Sequence, residues 1–263
     1  MNKKGIFMPM LLLFTLILYA WAYQALVFGE STNYRREVGK NQYKLYDTYN
    51  QADKAIIYLD NAARLAAYDS LKELGENGGY VNEQISECSK AGYNLWYNAG
   101  EECWPDIQDN FKTAFKKNFN KYLANYNIRL HNDYDNPGLK DYYDYLTDIN
   151  KDGITINGKS RSKYIFGTES YSDGRSEFLI KYEVDPSFNV KIDIGLSDYN
   201  EIKLAITDAI RLCNNAECFD RNVRKGNYSW RIFDKDDYVL FEVNTGKKIF
   251  NEDLVIKFAV KKK

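Results

Sequence analysis

Residues 6–28 form an uncharged, mostly apolar run directly behind Lys3 and Lys4, and nothing later in the chain repeats it. At about 1.5 Å rise per residue the run gives roughly 34 Å of helix, enough to cross a hydrocarbon core of ~30 Å with modest tilt. A lipid bilayer is therefore the first partner expected, and residues 1–29 separate as a transmembrane segment. Lys3 and Lys4 favour the cytoplasmic side, which puts Glu30 onward outside. Trp21 and Tyr23 lie near the outer end, where amphipathic rings settle at the headgroup level. The preferred reading is a retained signal-anchor: a single pass, N-terminus cytoplasmic, bulk of the chain extracytoplasmic at the cell membrane.

Two other readings use the same residues. Ala20-Trp21-Ala22 fits the small-x-small rule for a secretory signal cleaved after Ala22, although apolarity continues through Ala25, Leu26, Val27 and Phe28. Lys3-Lys4-Gly5 before an apolar helix resembles the class III leader of type IV pilins, which is cut after the Gly. That resemblance covers the first turns only. Many such pilins carry Glu at the fifth mature position, which here is Met10. It implies a filament subunit whose apolar helix packs against its neighbours in a fibre core.

Beyond the leading segment roughly 235 residues remain, enough for one large domain or two small ones. The net charge is -1, from 36 basic and 37 acidic residues that are well mixed. Phosphate binding needs a cationic field, so nucleic acid is not the expected partner. The 23 tyrosines suit half-wet surfaces. An Asn/Lys/Tyr-rich codon bias explains them more simply than a sugar-binding aromatic platform does. The four cysteines, Cys88, Cys103, Cys213 and Cys218, all follow the apolar segment. An even count in an exported domain reads as disulfides, and proximity suggests Cys88–Cys103 with Cys213–Cys218, one of three connectivities. Zinc would want closer C-x-x-C spacing, and the single His131 lies far off.

After a polar extension over residues 31–42, Leu45, Tyr49, Ala52, Ile56, Leu59, Ala63 and Ala66 alternate in fours and threes, the seam of a coiled-coil-like helix. Ala55, Ala62, Leu65 and Leu71 widen that stripe, as in a helix packed on its own domain. Self-association through the long helix is the alternative. Gly75, Gly78 and Gly79 end it. Residues 80–104 read as an irregular Cys/Trp loop, and Pro105 opens a second amphipathic helix whose outer face carries Lys112, Lys116, Lys117 and Lys121. A short helix is expected over residues 139–149. From residue 151 the texture turns to strands, with alternation in Phe188, Val190, Ile192, Ile194 and in Leu254, Ile256, Phe258, Val260. One helix begins near Asp198, taken as its N-cap, with Ile202, Ala205, Ile206, Ala209 and Ile210 as its buried stripe. The fold class is α+β: a transmembrane helix, a helical region over 30–150 (long helix plus helical hairpin), and over 151–263 an antiparallel sheet with one packed helix.

No motif fixes an activity. Asp148, Asn150 and Asp152 with Gly153 supply positions one, three, five and six of a calcium loop, resembling the first half of an EF-hand. Position twelve is Lys159, a cation where a bidentate Glu belongs, so an Asp-Gly turn into a hairpin is the ordinary reading. Asp133, Asp135, Asp141, Asp144 and Asp148 could serve an extracellular hydrolase, a mechanism that needs one buried acid. No nucleophile elbow or phosphate loop occurs. Asn227-Tyr228-Ser229 is a glycosylation sequon. Basic leader, anchor, long helix, Cys/Trp loop and β-rich end together resemble uncharacterised, N-terminally anchored archaeal envelope proteins. The resemblance implies no activity. The expected function is a membrane-anchored ectodomain for binding, adhesion or envelope assembly, with other envelope proteins as partners and with no cofactor apart from calcium at the half loop.

Overall fold

The computed structural model describes residues 7–81, 88–90, 93–98, 101–130, 139–149, 153–172, 175–223 and 226–262. Its first element, α1 (Phe7–Glu76), is one helix of 70 residues. Pro9 sits in its first turn, where an amide hydrogen would have no intrahelical partner anyway. The apolar run, the polar extension and the packing seam are thus consecutive parts of one helix. The seam is buried at Ala52, Leu59, Ala63 and Ala66 and half-buried at Ile56, whereas Leu45 and Tyr49 remain exposed.

The helix stops where glycine lets it. Gly78 and Gly79 have φ of 61° and 90°, and the Gly79 amide donates to Leu74 O at 2.7 Å, closing the last turn as left-handed caps do. A β-carbon on Gly78 would lie 2.6 Å from Lys257 O, so the chain end also runs against a strand too closely for any side chain.

Contacts divide the chain into two units, Met1–Gln51 with Phe166–Tyr182, and Ala52–Ile165 with Glu183–Lys263. In the first, the rings of Tyr49 and Tyr182 meet at 4.5 Å between centroids. The strands β6 (Tyr164–Ser172) and β7 (Arg175–Val184), which supply most of its second segment, pair with each other.

The second unit is built on an antiparallel helix pair. Along α2 (Ile107–Leu130), Tyr122 donates to Asp69 at 2.7 Å, Asn118 to Ser70 at 3.1 Å, and Lys117 pairs with Glu73 at 2.8 Å. As numbers rise on one helix they fall on the other. Phe111, Phe115 and Phe119 recur at every fourth position and are fully buried. Phe119 meets Phe188 at 5.1 Å and Tyr145 at 5.6 Å, on a three-stranded sheet ordered β4 (Tyr145–Ile149), β5 (Ile154–Ser160), β8 (Ser187–Ile192).

Residues 139–149 do not form the expected helix. A 3-10 turn, Tyr142–Asp144, is capped by Asp141, whose carboxylate accepts from the Tyr143 amide at 3.0 Å. The chain then enters β4. Tyr145 is buried and Leu146 exposed, a period of two, and the Tyr145 hydroxyl meets that of Tyr164 at 2.6 Å. Pairing with β5 supplies backbone partners that a three-turn helix would leave unmet at its ends.

The larger sheet runs β1 (Ser89–Lys90), β2 (Tyr93–Asn98), β11 (Glu252–Lys261), β10 (Tyr238–Ile249), β9 (Ser229–Lys235), with β3 (Glu101–Glu102) also on β2. β2 comes from the segment read as irregular, and it joins β11 in parallel, Leu95 opposite Ala259. Leu254, Ile256, Phe258 and Val260 are all buried, and so are Phe188, Val190, Ile192 and Ile194, following the alternation of the sequence.

The helix after β8, α3 (Ser197–Leu212), buries Ile202, Ala205, Ile206 and Ala209. Asp198 is not its N-cap. That position falls to Leu196 without a side-chain bond, because the buried Asp198 carboxylate is taken by Lys247 Nζ, at 2.9 and 2.8 Å from its two oxygens.

Candidate functional site

The first functional element is the apolar part of α1. Met10–Val27 has a mean hydropathy of 1.9 and none of it is buried. Met10, Leu11, Leu12, Leu13, Phe14 and Leu16 are each more than half exposed. In water such a surface would be covered. Among the described residues one helix thus has the length and composition to cross a membrane, and it is joined to a disulfide-containing domain.

Both disulfides link nearest neighbours in sequence. Cys88–Cys103 closes a separation of 15 residues and Cys213–Cys218 one of 5. The first closes over one side of the larger sheet, where Cys103 packs with Leu95, Leu240 and Ala259. The Cys103 amide donates to Trp96 O at 3.0 Å, and the Tyr80 hydroxyl donates to Cys103 O. Burial pushes the Tyr80 phenol up to about 12.

Trp104 follows Cys103 directly and precedes Pro105, so a disulfide and a proline ring hold the backbone on either side of it. Its indole is half-buried, edge-on to Trp96 at 4.7 Å and 67°. Lys203 Nζ sits 4.5 Å from its centroid and pairs with Glu102. Trp104 borders two clefts. One, of 340 Å³, is shared with Trp96, Tyr97, Glu102 and, on α3, Lys203, Thr207 and Arg211. The other, of 560 Å³, lies between the first turns of α2 and α3, lined by Asp106, Gln108, Ser197 and Asn200. The sequence signal was present, a Trp in a Cys-Trp-Pro triplet, but its partners on α3 lie roughly a hundred residues away and gave none.

Of the other sequence candidates, the described Asp141, Asp144 and Asn227 do not line these clefts. Asn150 and Asp152 of the half calcium loop lie outside the described residues, as do His131, Asp133 and Asp135, and the Asp148 side chain is likewise undescribed. Among the described residues no group of three or more His, Cys, Asp or Glu side chains could hold a metal ion. Asp141 is used in capping. Asn227 is exposed in the turn before β9, while its neighbour Tyr228 donates to Glu201 at 2.6 Å and to Asp198 at 3.3 Å. Burial, then those carboxylates, raise the Tyr228 phenol well above its ordinary value. Comparison with protein-family models, curated proteins and solved structures finds no significant match to this chain.

Proposed function

We propose that this is a single-pass, membrane-tethered extracytoplasmic protein whose disulfide-stabilised domain serves binding, adhesion or assembly at the cell envelope. One observation carries the reading: the exposed apolar run and the stripe buried at Ala52, Leu59, Ala63 and Ala66 belong to one uninterrupted helix. Two disulfides support an oxidising compartment, and Lys3 and Lys4 support the orientation. Full-length protein in intact cells tests it. The chain is expected to stay in carbonate-washed membranes and to lose its domain to protease added outside. Release by carbonate, or protection from that protease, would overturn the reading.

A second reading, a pilin-like filament subunit, is favoured by Lys3-Lys4-Gly5 standing at the head of a helix unbroken to Glu76. Its partner is another copy of the chain, met through the long helix, where Tyr43, Leu45 and Tyr46 are exposed. N-terminal sequencing separates the two. A mature chain beginning at Ile6 supports the filament, Met1 supports the anchor, and Tyr23 a cleaved signal. The layout by which the sequence resembles anchored archaeal envelope proteins fits anchor and filament alike.

A further inference from the structure

We propose that the paired clefts around Trp104 bind a saccharide, with the indole as the stacking surface for a pyranose ring. This rests on the binding role proposed above and is independent of the membrane topology. A pyranose presents an apolar C–H face and a rim of hydroxyls. It is held by a flat aromatic ring flanked by donors and acceptors of mixed charge. Trp104 supplies the ring, half-buried and lining both clefts; Lys203 Nζ stands over one face, 4.5 Å from the centroid, so the sugar is assigned to the opposite face. Around it stand Glu102 as acceptor, Lys203 and Arg211 as donors, Asn200 as both, and Thr207 as acceptor, its own proton being given to Lys203 O.

The clefts, 340 and 560 Å³, fall within the roughly 300–1,000 Å³ usual for small-molecule sites. In the smaller cleft Glu102 stands with Lys203 and Arg211, and Asp106 adds an acid to the wider one, so the field is mixed and disfavours a phosphate-rich ligand. The ring is also set before any ligand arrives. The Cys88–Cys103 bridge, Pro105, the edge contact to Trp96 and the Lys203 ammonium each restrict it, which lowers the ordering cost of binding.

The test uses full-length protein in a zwitterionic detergent free of sugar. Cellotriose, mannotriose, chitotriose and trigalacturonate are titrated by tryptophan fluorescence and calorimetry, each to about 10 mM. At least one is expected to bind. Trp104→Ala should weaken it about tenfold or more, and Leu212→Ala, at an exposed residue lining neither cleft, should leave it unchanged. Should Trp104→Ala fail to fold, Asn200→Trp fills the wider cleft from an exposed position and reads the same loss. The proposal is overturned if none of the four binds, if binding ignores these variants, or if inorganic phosphate or an acidic peptide quenches the tryptophans and the sugars do not. Membrane extraction is scored separately, so failure of the tether and failure of the site are distinguishable.

Discussion

Trp96 and Phe258 lie face to face, ring centroids 3.6 Å apart and planes 4° from parallel. The Trp96 N–H donates to Gly78 O at 2.8 Å. One indole thus ties together a strand from the Cys/Trp segment, the last long strand of the chain and the end of α1. It also packs in a T-shaped pair with Trp104, so the core contact and the candidate site share a side chain.

Trp96→Phe keeps a ring against Phe258 but leaves the Gly78 carbonyl without its donor. The expected loss is about 1–3 kcal/mol, against about 3–5 kcal/mol for Trp96→Ala. Urea midpoints of the two variants check this, and equal midpoints for wild type and Trp96→Phe would show that the hydrogen bond contributes nothing.

Two glycines in and after α1 should respond oppositely to alanine. Gly39 lies mid-helix with nothing within 4 Å of an added β-carbon, so Gly39→Ala should stabilise by about 0.5–1 kcal/mol. Gly78 combines φ of 61° with the Lys257 carbonyl at 2.6 Å. Gly78→Ala should destabilise by about 2 kcal/mol or more. Thermal melts of both variants side by side give the sign of each.

The two disulfides should contribute unequally. With separations of 15 and 5 residues, chain entropy assigns about 3 kcal/mol to Cys88–Cys103 and about 2 kcal/mol to Cys213–Cys218. Paired Cys→Ala variants, compared by denaturant midpoint without reductant, should rank in that order. The reverse ranking would mean that local packing, not loop closure, sets the contribution.

The alkaline limb of stability should be set by buried phenols. The folded-state value of Tyr80 is raised from 10.0 to about 12 by burial, so above pH 10 the unfolded chain releases this proton while the native state keeps it. Stability contributed this way is complete below pH 10 and is lost as pH rises through about 12. Phenolate absorbance should therefore show a late fraction ionising near unfolding, and Tyr80→Phe should flatten the decline between pH 10 and 12. A decline of unchanged slope would remove Tyr80 as its cause.

What could be read along the chain was what depends on near neighbours. The uncharged run of residues 6–28 and the seam through Ala52, Leu59, Ala63 and Ala66 declare a helix by their spacing. Alternation declares β8 and β11, and Gly78 declares where α1 stops, because in each case the physics acts between residues a few positions apart. What the tertiary structure decided depends on distant partners. Residues 93–98 became a strand because β11, some 160 residues on, offers a free edge, and residues 145–149 did so because the ring of Tyr145 is buried beside Phe119 and Phe188. Asp198 left its cap for Lys247, and Trp104 gained a site only when α3 brought Lys203 over its ring. A local pattern states which face of an element is apolar, whereas only the folded chain states which other face is waiting for it.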